Sequence, residues 1–422
     1  MPEYLTCTIG DLSDLTVMPD PDWGQVTREA EESDNIYADI ATQLRTTTSA
    51  LRKLNFRVKL EGADKDDLIA QENALRMEVS KVTNTLTLMP RNATASVTFN
   101  LLRSPVPIAA FDYPYDHLNV AIVSLSLVAE PWAYGPEVDL YSAESLTSPA
   151  LLSLGTLVGQ GDPRLGVTIT RGWGTASDGV GIQYAVAALC NGDAVTDYFF
   201  EAESGDMSGD FDSDDTVLNP SGGAAAKLPS ATTTSWTYLN SVVSPTTLPV
   251  GRYRCLVRAK TSSSDGDNYV GMRKITDTGR DPKTTRELDT FWQWHDLGDW
   301  VNYGGNSLRL YGKSGSASLW IDCVLMVPVD WGFVWYTDDT ENTDSVTFGW
   351  LPYEMTYTNT AGASGSAAAR VQGHGLKAPL SGFSLLMLVE PNGSDPDPAF
   401  TVDVSYVPRW EMWRNPSGGS GS

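Results

Sequence analysis

The chain is poor in the residues that most enzymes rely on. It has three histidines, His117, His295 and His374, far apart in sequence; Asp116 precedes His117 and Asp296 follows His295. Neighbours in a strand point to opposite faces, so that adjacency builds no catalytic pair. There is no G-x-S-x-G elbow, no HExxH, no Walker-type loop and no dinucleotide fingerprint, which removes the anchors of nucleophilic, zinc-hydrolase and nucleotide chemistry. Cysteine is equally scarce. Cys7, Cys190, Cys255 and Cys323 include no C-x-x-C pair, which argues against a zinc ribbon or a disulfide scaffold and leaves buried free thiols as the expectation. Base is in deficit: 29 Lys and Arg against 53 Asp and Glu give a net charge of −24. Such a surface repels phosphate backbones and anionic membranes, so neither nucleic-acid binding nor membrane insertion is expected. No apolar run is long enough for a membrane span, and the start MPEYLTCTIGDLSDL lacks the basic and apolar regions of a secretory signal, so a soluble protein is expected.

What is present is strand and turn material. The 13 Trp, 37 Gly and 24 Pro in 422 residues favour short strands and many turns, and the length suits two or three domains. Leu54, Phe56, Val58 and Leu60 alternate with Asn55, Arg57 and Lys59, which predicts a half-buried strand. From Asp64 to Lys81 the acidic start and a stripe of Leu68, Leu75, Val79 and Val82 predict a helix, the one convincing helix of the chain. Strands follow at 85–88, 95–101 and 118–128, the last with Ala121, Val123, Leu125 and Leu127 on one face; Glu130-Pro131-Trp132-Ala133-Tyr134-Gly135-Pro136 stops it. From about residue 151, short strands alternate with Gly/Ser/Asp/Thr loops, as in a sandwich or jelly roll, up to Pro328-Val329-Asp330. The expected fold is therefore mainly β. Its expected parts are an N-terminal sandwich-like module with one helix (1–150), a jelly roll (151–331), a C-terminal β segment (332–414) and a flexible Gly/Ser tail (415–422).

Two features invite ligands, each beside a plainer reading. Between Asp193 and Asp215 nine acids, Asp206, Asp210, Asp212, Asp214 and Asp215 among them, occur without a Lys or Arg. Calcium prefers such oxygen donors, but Asp210-x-Asp212-x-Asp214 lacks the glycine and closing glutamate of an EF-hand, and a solvated acidic loop accounts for most of the run. Trp292, Trp294, Trp300 and Tyr303 are candidates for stacking on sugar rings. Trp292 and Trp294 share a strand face, which is also how a core is built.

Two resemblances organise these features. Phe200-Glu201-Ala202-Glu203-Ser204, Leu248-Pro249-Val250-Gly251-Arg252-Tyr253-Arg254, Gly305-Asn306-Ser307-Leu308-Arg309-Leu310 and Trp320-Ile321-Asp322-Cys323-Val324 resemble the strands of calcium-containing jelly-roll carbohydrate-binding modules. That likeness implies a structural calcium held by Glu201, Glu203 and Asp322. The flanks resemble distal-tail and minor tail proteins of siphophages: the strand and helix of 54–82, the strand ending Ala129-Glu130-Pro131-Trp132-Ala133-Tyr134-Gly135, and Val402-Asp403-Val404-Ser405-Tyr406-Val407-Pro408-Arg409-Trp410. Such proteins often interpose a sandwich between tail-ring segments. The likeness implies a non-enzymatic virion protein, assembled in the host cytoplasm into a ring, usually a hexamer. Its implied neighbours are itself, the tail tube protein, the tail hub and other tail-tip proteins, with host-surface glycan met through the jelly roll. Trp132 and Tyr134 are the interface candidates, since aromatics are enriched at interface centres; each would serve equally as core. The rival readings are a glycan-binding protein of a virion or bacterial surface, and a polysaccharide-active enzyme.

Overall fold

The computed structural model describes residues 4–410, leaving aside 24–27, 30–47, 91–95, 115–118, 174–179, 231–235, 274–281, 351–354, 392–397 and scattered shorter stretches. His117, His374, Asp206 and the Gly/Ser tail lie outside the described residues. The fold is mainly β, with one α-helix among the described residues, and the chain divides into two compact units.

The first unit takes in both chain ends: Met1–Val138, Val158–Asp162 and Val407–Ser422. Six strands, Val97–Leu102, Thr83–Pro90, Tyr4–Ile9, Leu12–Val17, Arg52–Glu61 and Val120–Ala129, pair in that order, and the last returns to the first through Leu101 opposite Ala129. The sheet thereby closes into a small barrel, which removes most free strand edges. The Arg52–Glu61 strand alternates buried and more exposed residues without a break, placing Leu54, Phe56, Val58 and Leu60 in the core against Ala121, Val123, Leu125 and Leu127 of the Val120–Ala129 strand. The helix spans Lys65–Val79 and starts as its sequence predicts: the Asp64 side chain accepts a hydrogen bond from the Asp67 backbone N–H (2.9 Å), satisfying an N-terminal donor. Leu68, Leu75 and Val79 are buried, but Val82 lies beyond the Ser80 cap and is exposed, because the helix ends before the stripe reaches it. Gly10, at φ +55°, runs so close to Glu78 that a Cβ would stand 2.2 Å from its carboxylate oxygen, so only glycine fits this turn.

The second unit, Asp139–Leu157 and Pro163–Tyr406, holds an eleven-stranded sheet and a two-sheet sandwich. The sandwich combines a six-stranded sheet (Phe199–Glu201, Asp212–Asp214, Ala225–Leu228, Gly251–Thr261, Gln293–Asn302, Leu319–Pro328) with a four-stranded one (Thr237–Leu239, Tyr269–Arg273, Thr284–Glu287, Arg309–Lys313). The structure divides the chain differently from the expected 151–331 and 332–414. Leu165–Arg171 and Ile182–Cys190, expected in the jelly roll, pair with Ala399–Tyr406, Thr343–Phe348, Phe333–Thr337 and Ser384–Pro391. The segment after residue 332 thus supplies seven of the eleven strands of one sheet and is not a separate module. One apolar core joins both parts, from Val186, Ala188, Trp335 and Leu386 to Val257, Val270, Leu310 and Ile321. All four cysteines are free and buried; burial pushes the Cys190 thiol up to about 11 and that of Cys7 to about 12.

Candidate functional site

The chemistry of the second unit concentrates on one region of the six-stranded sheet. The Gly251–Thr261 and Leu319–Pro328 strands pair Arg258 with Cys323 and Ala259 with Ile321, so Asp322 is the extra residue of a bulge. Bulges re-aim side chains, and this one turns Asp322 into the interior, fully buried and 3.5 Å from the neighbouring Cys323 thiol. Asp322 accepts from Arg258 Nη1 (2.6 Å) and from the Ser221 backbone N–H (2.8 Å). Arg258, itself 1% exposed, also donates to Glu390 Oε1 (2.9 Å) on the Ser384–Pro391 strand and to the Asn219 carbonyl (3.0 Å). Glu390 accepts in addition from Trp294 Nε1. One guanidinium thus holds two buried carboxylates from two sheets. Burial raises the pKa of both acids and Arg258 opposes the rise.

Glu201 and Glu203 approach from the side. Glu201 stands opposite Cys323 and accepts from Ser221 Oγ (2.7 Å). Gly222, at φ +61°, faces both acids: a Cβ there would lie 3.1 Å from Glu203 Oε1 and 3.2 Å from Glu201 Oε1. Glu203 Oε2 is buried without a hydrogen-bond partner, and burial, with Asp322 nearby, raises its pKa. The structure therefore brings Glu201, Glu203 and Asp322 into one neighbourhood but commits Asp322 to Arg258. The guanidinium supplies the positive charge that a cation would have supplied. Among the described residues no group of three metal-ligating side chains is arranged to hold an ion. The two glutamates converge on Gly222 with one unsatisfied buried oxygen on Glu203, short of the roughly six to eight oxygens that a calcium ion takes.

The aromatic candidates separate. Trp292 (8% exposed), Trp294 (6%) and Trp300 (1%) are all buried, Trp300 packing 6.5 Å from the Tyr253 ring, so none of the three presents an open face to a sugar. Tyr303 is 65% exposed beyond the far end of the Gln293–Asn302 strand, and Trp292 lies just before its near end. Trp292 donates to the Leu218 carbonyl (2.9 Å), and Arg258 and Lys260 lie 4.7 and 4.5 Å from its ring centre. In the first unit Trp132 and Tyr134 are half-buried. The Ala133–Tyr134 strand pairs with Arg409–Trp410, and Tyr134 Oη donates to Glu130 (2.7 Å). The acidic run is mixed: Asp210, Asp212 and Asp215 are exposed, whereas Asp214 is buried between Lys227 (2.9 Å), Thr216 and the Trp320 indole N–H (3.0 Å). These partners hold its carboxyl well below the usual range.

Sequence reasoning missed Arg258, Glu390, Lys260 and Lys227. Alternation in Arg258-Ala259-Lys260 and Trp320-Ile321-Asp322 puts like-spaced residues on shared faces, but only strand register tells which strand lies opposite.

No family model matches the chain. No curated protein matches it either. Among solved structures, the SPP1 Dit protein (gp 19.1), described as a paradigm of the hub adsorption apparatus in phages infecting Gram-positive bacteria, aligns over 75% of this chain and 98% of its own, at 11% identity and a TM-score of 0.28. A xanthan lyase from Paenibacillus aligns over 85% of this chain and 37% of its own, at 10% identity and a TM-score of 0.22. At such scores neither carries an argument about fold or function. Among the described residues no helix is long and apolar enough to cross a membrane.

Proposed function

We propose that the chain is a structural component of a phage tail end, in which the unit built from both chain ends assembles into a ring and the inserted unit meets the host surface. The observation that carries this reading is the split first unit. Its Ala133–Tyr134 strand pairs with Arg409–Trp410 across the whole inserted unit, with Gly135 N–H donating to the Pro408 carbonyl (2.9 Å). A scaffold interrupted by a self-contained insert is the layout that the resemblance to siphophage tail proteins implies. A ring of identical subunits is the closed symmetry suited to capping a tube, with the tail tube protein and tail hub as neighbours and a hexamer as the expected number. Trp132 and Tyr134, half-buried beside this pairing, are the proposed interface aromatics. Electron microscopy of the purified protein tests the proposal: discrete rings support it, and a monomer at micromolar concentration overturns it.

Within the inserted unit, Glu201 and Glu203 are the proposed calcium ligands. Their test is the melting temperature with calcium against chelator, compared between the wild type and Glu203→Gln; a wild-type melting temperature that calcium leaves unchanged removes the ion.

A further inference from the structure

Outside the Arg258 cluster, the six-stranded sheet carries a row that neither the proposed calcium pair nor the assembly reading uses. Lys227 stands directly opposite Trp320, and Trp320 directly opposite Lys260, on three neighbouring strands; Trp292 continues the row just before the fourth. Register partners point the same way, so cation, indole, cation and indole line up, with about 10 Å from Lys227 to Lys260 by ordinary strand spacing. Lys260 Nζ lies 4.5 Å from the Trp292 ring centre and 5.6 Å from that of Trp320; Lys227 Nζ lies 5.5 Å from Trp320 on its other flank. Trp320 is half-buried and oriented by its N–H to Asp214.

The two lysines differ. Lys227 is paired with Asp214, whereas Lys260, half-buried, has no carboxylate partner among the described residues. Burial and the neighbouring Arg258 push its ammonium pKa down. Asp322 and Asp214 act on it from a distance without pairing with it, so a half-buried ammonium beside a partly exposed indole is a place for an anion attached to something flat and apolar.

We propose that the Lys227–Trp320–Lys260 row, backed by the buried Trp292, binds an acidic polysaccharide, with a uronate carboxylate at Lys260 and the sugar ring against Trp320. A uronate joins its carboxylate directly to a ring with an apolar face, so one residue serves both partners. A polyol phosphate backbone has no ring to stack, and in a nucleic acid the anion and the flat ring are separated by a sugar, so one residue does not serve both partners. The proposal rests on the reading of the inserted unit as host-surface contacting, and is independent of ring formation.

Affinity electrophoresis of the full-length chain through gels containing polygalacturonate, neutral galactan or single-stranded DNA tests it. Retardation by polygalacturonate is expected, weakened roughly tenfold or more in Lys260→Met, which keeps the packed stem and removes the charge; Trp320→Phe should weaken it less. Equal retardation of the wild type and Lys260→Met overturns the site, as does equal retardation by DNA. Binding of neutral galactan unaffected by Lys260→Met overturns the site but leaves glycan contact standing; retardation by none of the polymers removes both. The circular dichroism spectrum of each variant separates lost binding from lost folding.

Discussion

The two units treat buried charge in opposite ways. In the barrel unit a buried acid is answered from the surface: Glu78 pairs with the solvent-exposed Lys81 at 2.6 Å and with Asn84, and Lys81 in turn reaches the exposed Asp11 (3.1 Å), while Arg52 lies 5.4 Å from the Phe99 ring centre within an otherwise apolar interior. In the second unit Arg258 holds Asp322, 64 residues away, and Glu390, 132 residues away, all three almost fully buried. A pair whose partner stays in solvent is screened and fixes little. A long-range buried triad requires the six-stranded and eleven-stranded sheets that carry it to be in place together, and breaking it leaves uncompensated charge in the interior. The barrel is specified by apolar alternation and closure, the second unit by apolar core together with a polar key.

The largest break of this contrast is Arg258→Met. Removing the guanidinium strands Asp322 and Glu390, and a loss of about 3–5 kcal/mol is expected in the denaturant transition of the second unit. Adding Asp322→Asn and Glu390→Gln to the same chain should restore most of that loss. If the triple variant is no more stable than the single one, the loss comes from packing and not from stranded charge. The barrel's counterpart is a cavity: Leu127→Ala should cost about 2–5 kcal/mol in its own transition, with no rescue by any charge change.

The same contrast explains what could be read from the sequence. Arg52–Glu61 and Val120–Ala129 were legible because each has one wet face, and a two-residue period reports that directly. The Asp64 cap was legible for a local reason too. Ile182–Cys190 was assigned to the wrong sheet because all nine of its residues are buried, leaving no alternation to say which partner it takes. Its partner Ser384–Pro391 lies about two hundred residues on. Of the candidate site, the meeting of Glu201, Glu203 and Asp322 came from a family likeness. Arg258 and Glu390 were invisible, because an isolated Arg or Glu in a strand reads as solvent-facing and nothing local records that another sheet will cover it.

His295 sharpens the comparison through pH. It is 8% exposed, its Nε2 is buried without a partner, and burial lowers its pKa from 6.5 to about 4. The unfolded chain therefore binds a proton that the folded unit refuses between these values. Stability from this group is fully present above pH 6.5 and is lost as pH falls toward 4, by up to about 3 kcal/mol. Melting curves across this window should slope less in His295→Gln; parallel slopes would mean that the imidazole is protonated in the folded unit.

The smallest expected effect concerns Glu203, where the second unit tolerates an acid that it does not neutralise. Burial and Asp322 raise its folded pKa, so the ionised form is penalised once pH exceeds that value. Glu203→Gln keeps the shape and removes the charge. In chelator it should stabilise the chain by about 1 kcal/mol at neutral pH, and the gain should vanish below the ordinary glutamate pKa, where the wild-type carboxyl is protonated in both states. With calcium the order should reverse, because the amide loses a charged ligand. Stabilisation in both conditions would identify Glu203 as a buried acid whose charge only burdens the fold; destabilisation in both would mean that the carboxylate already has a protein donor in solution.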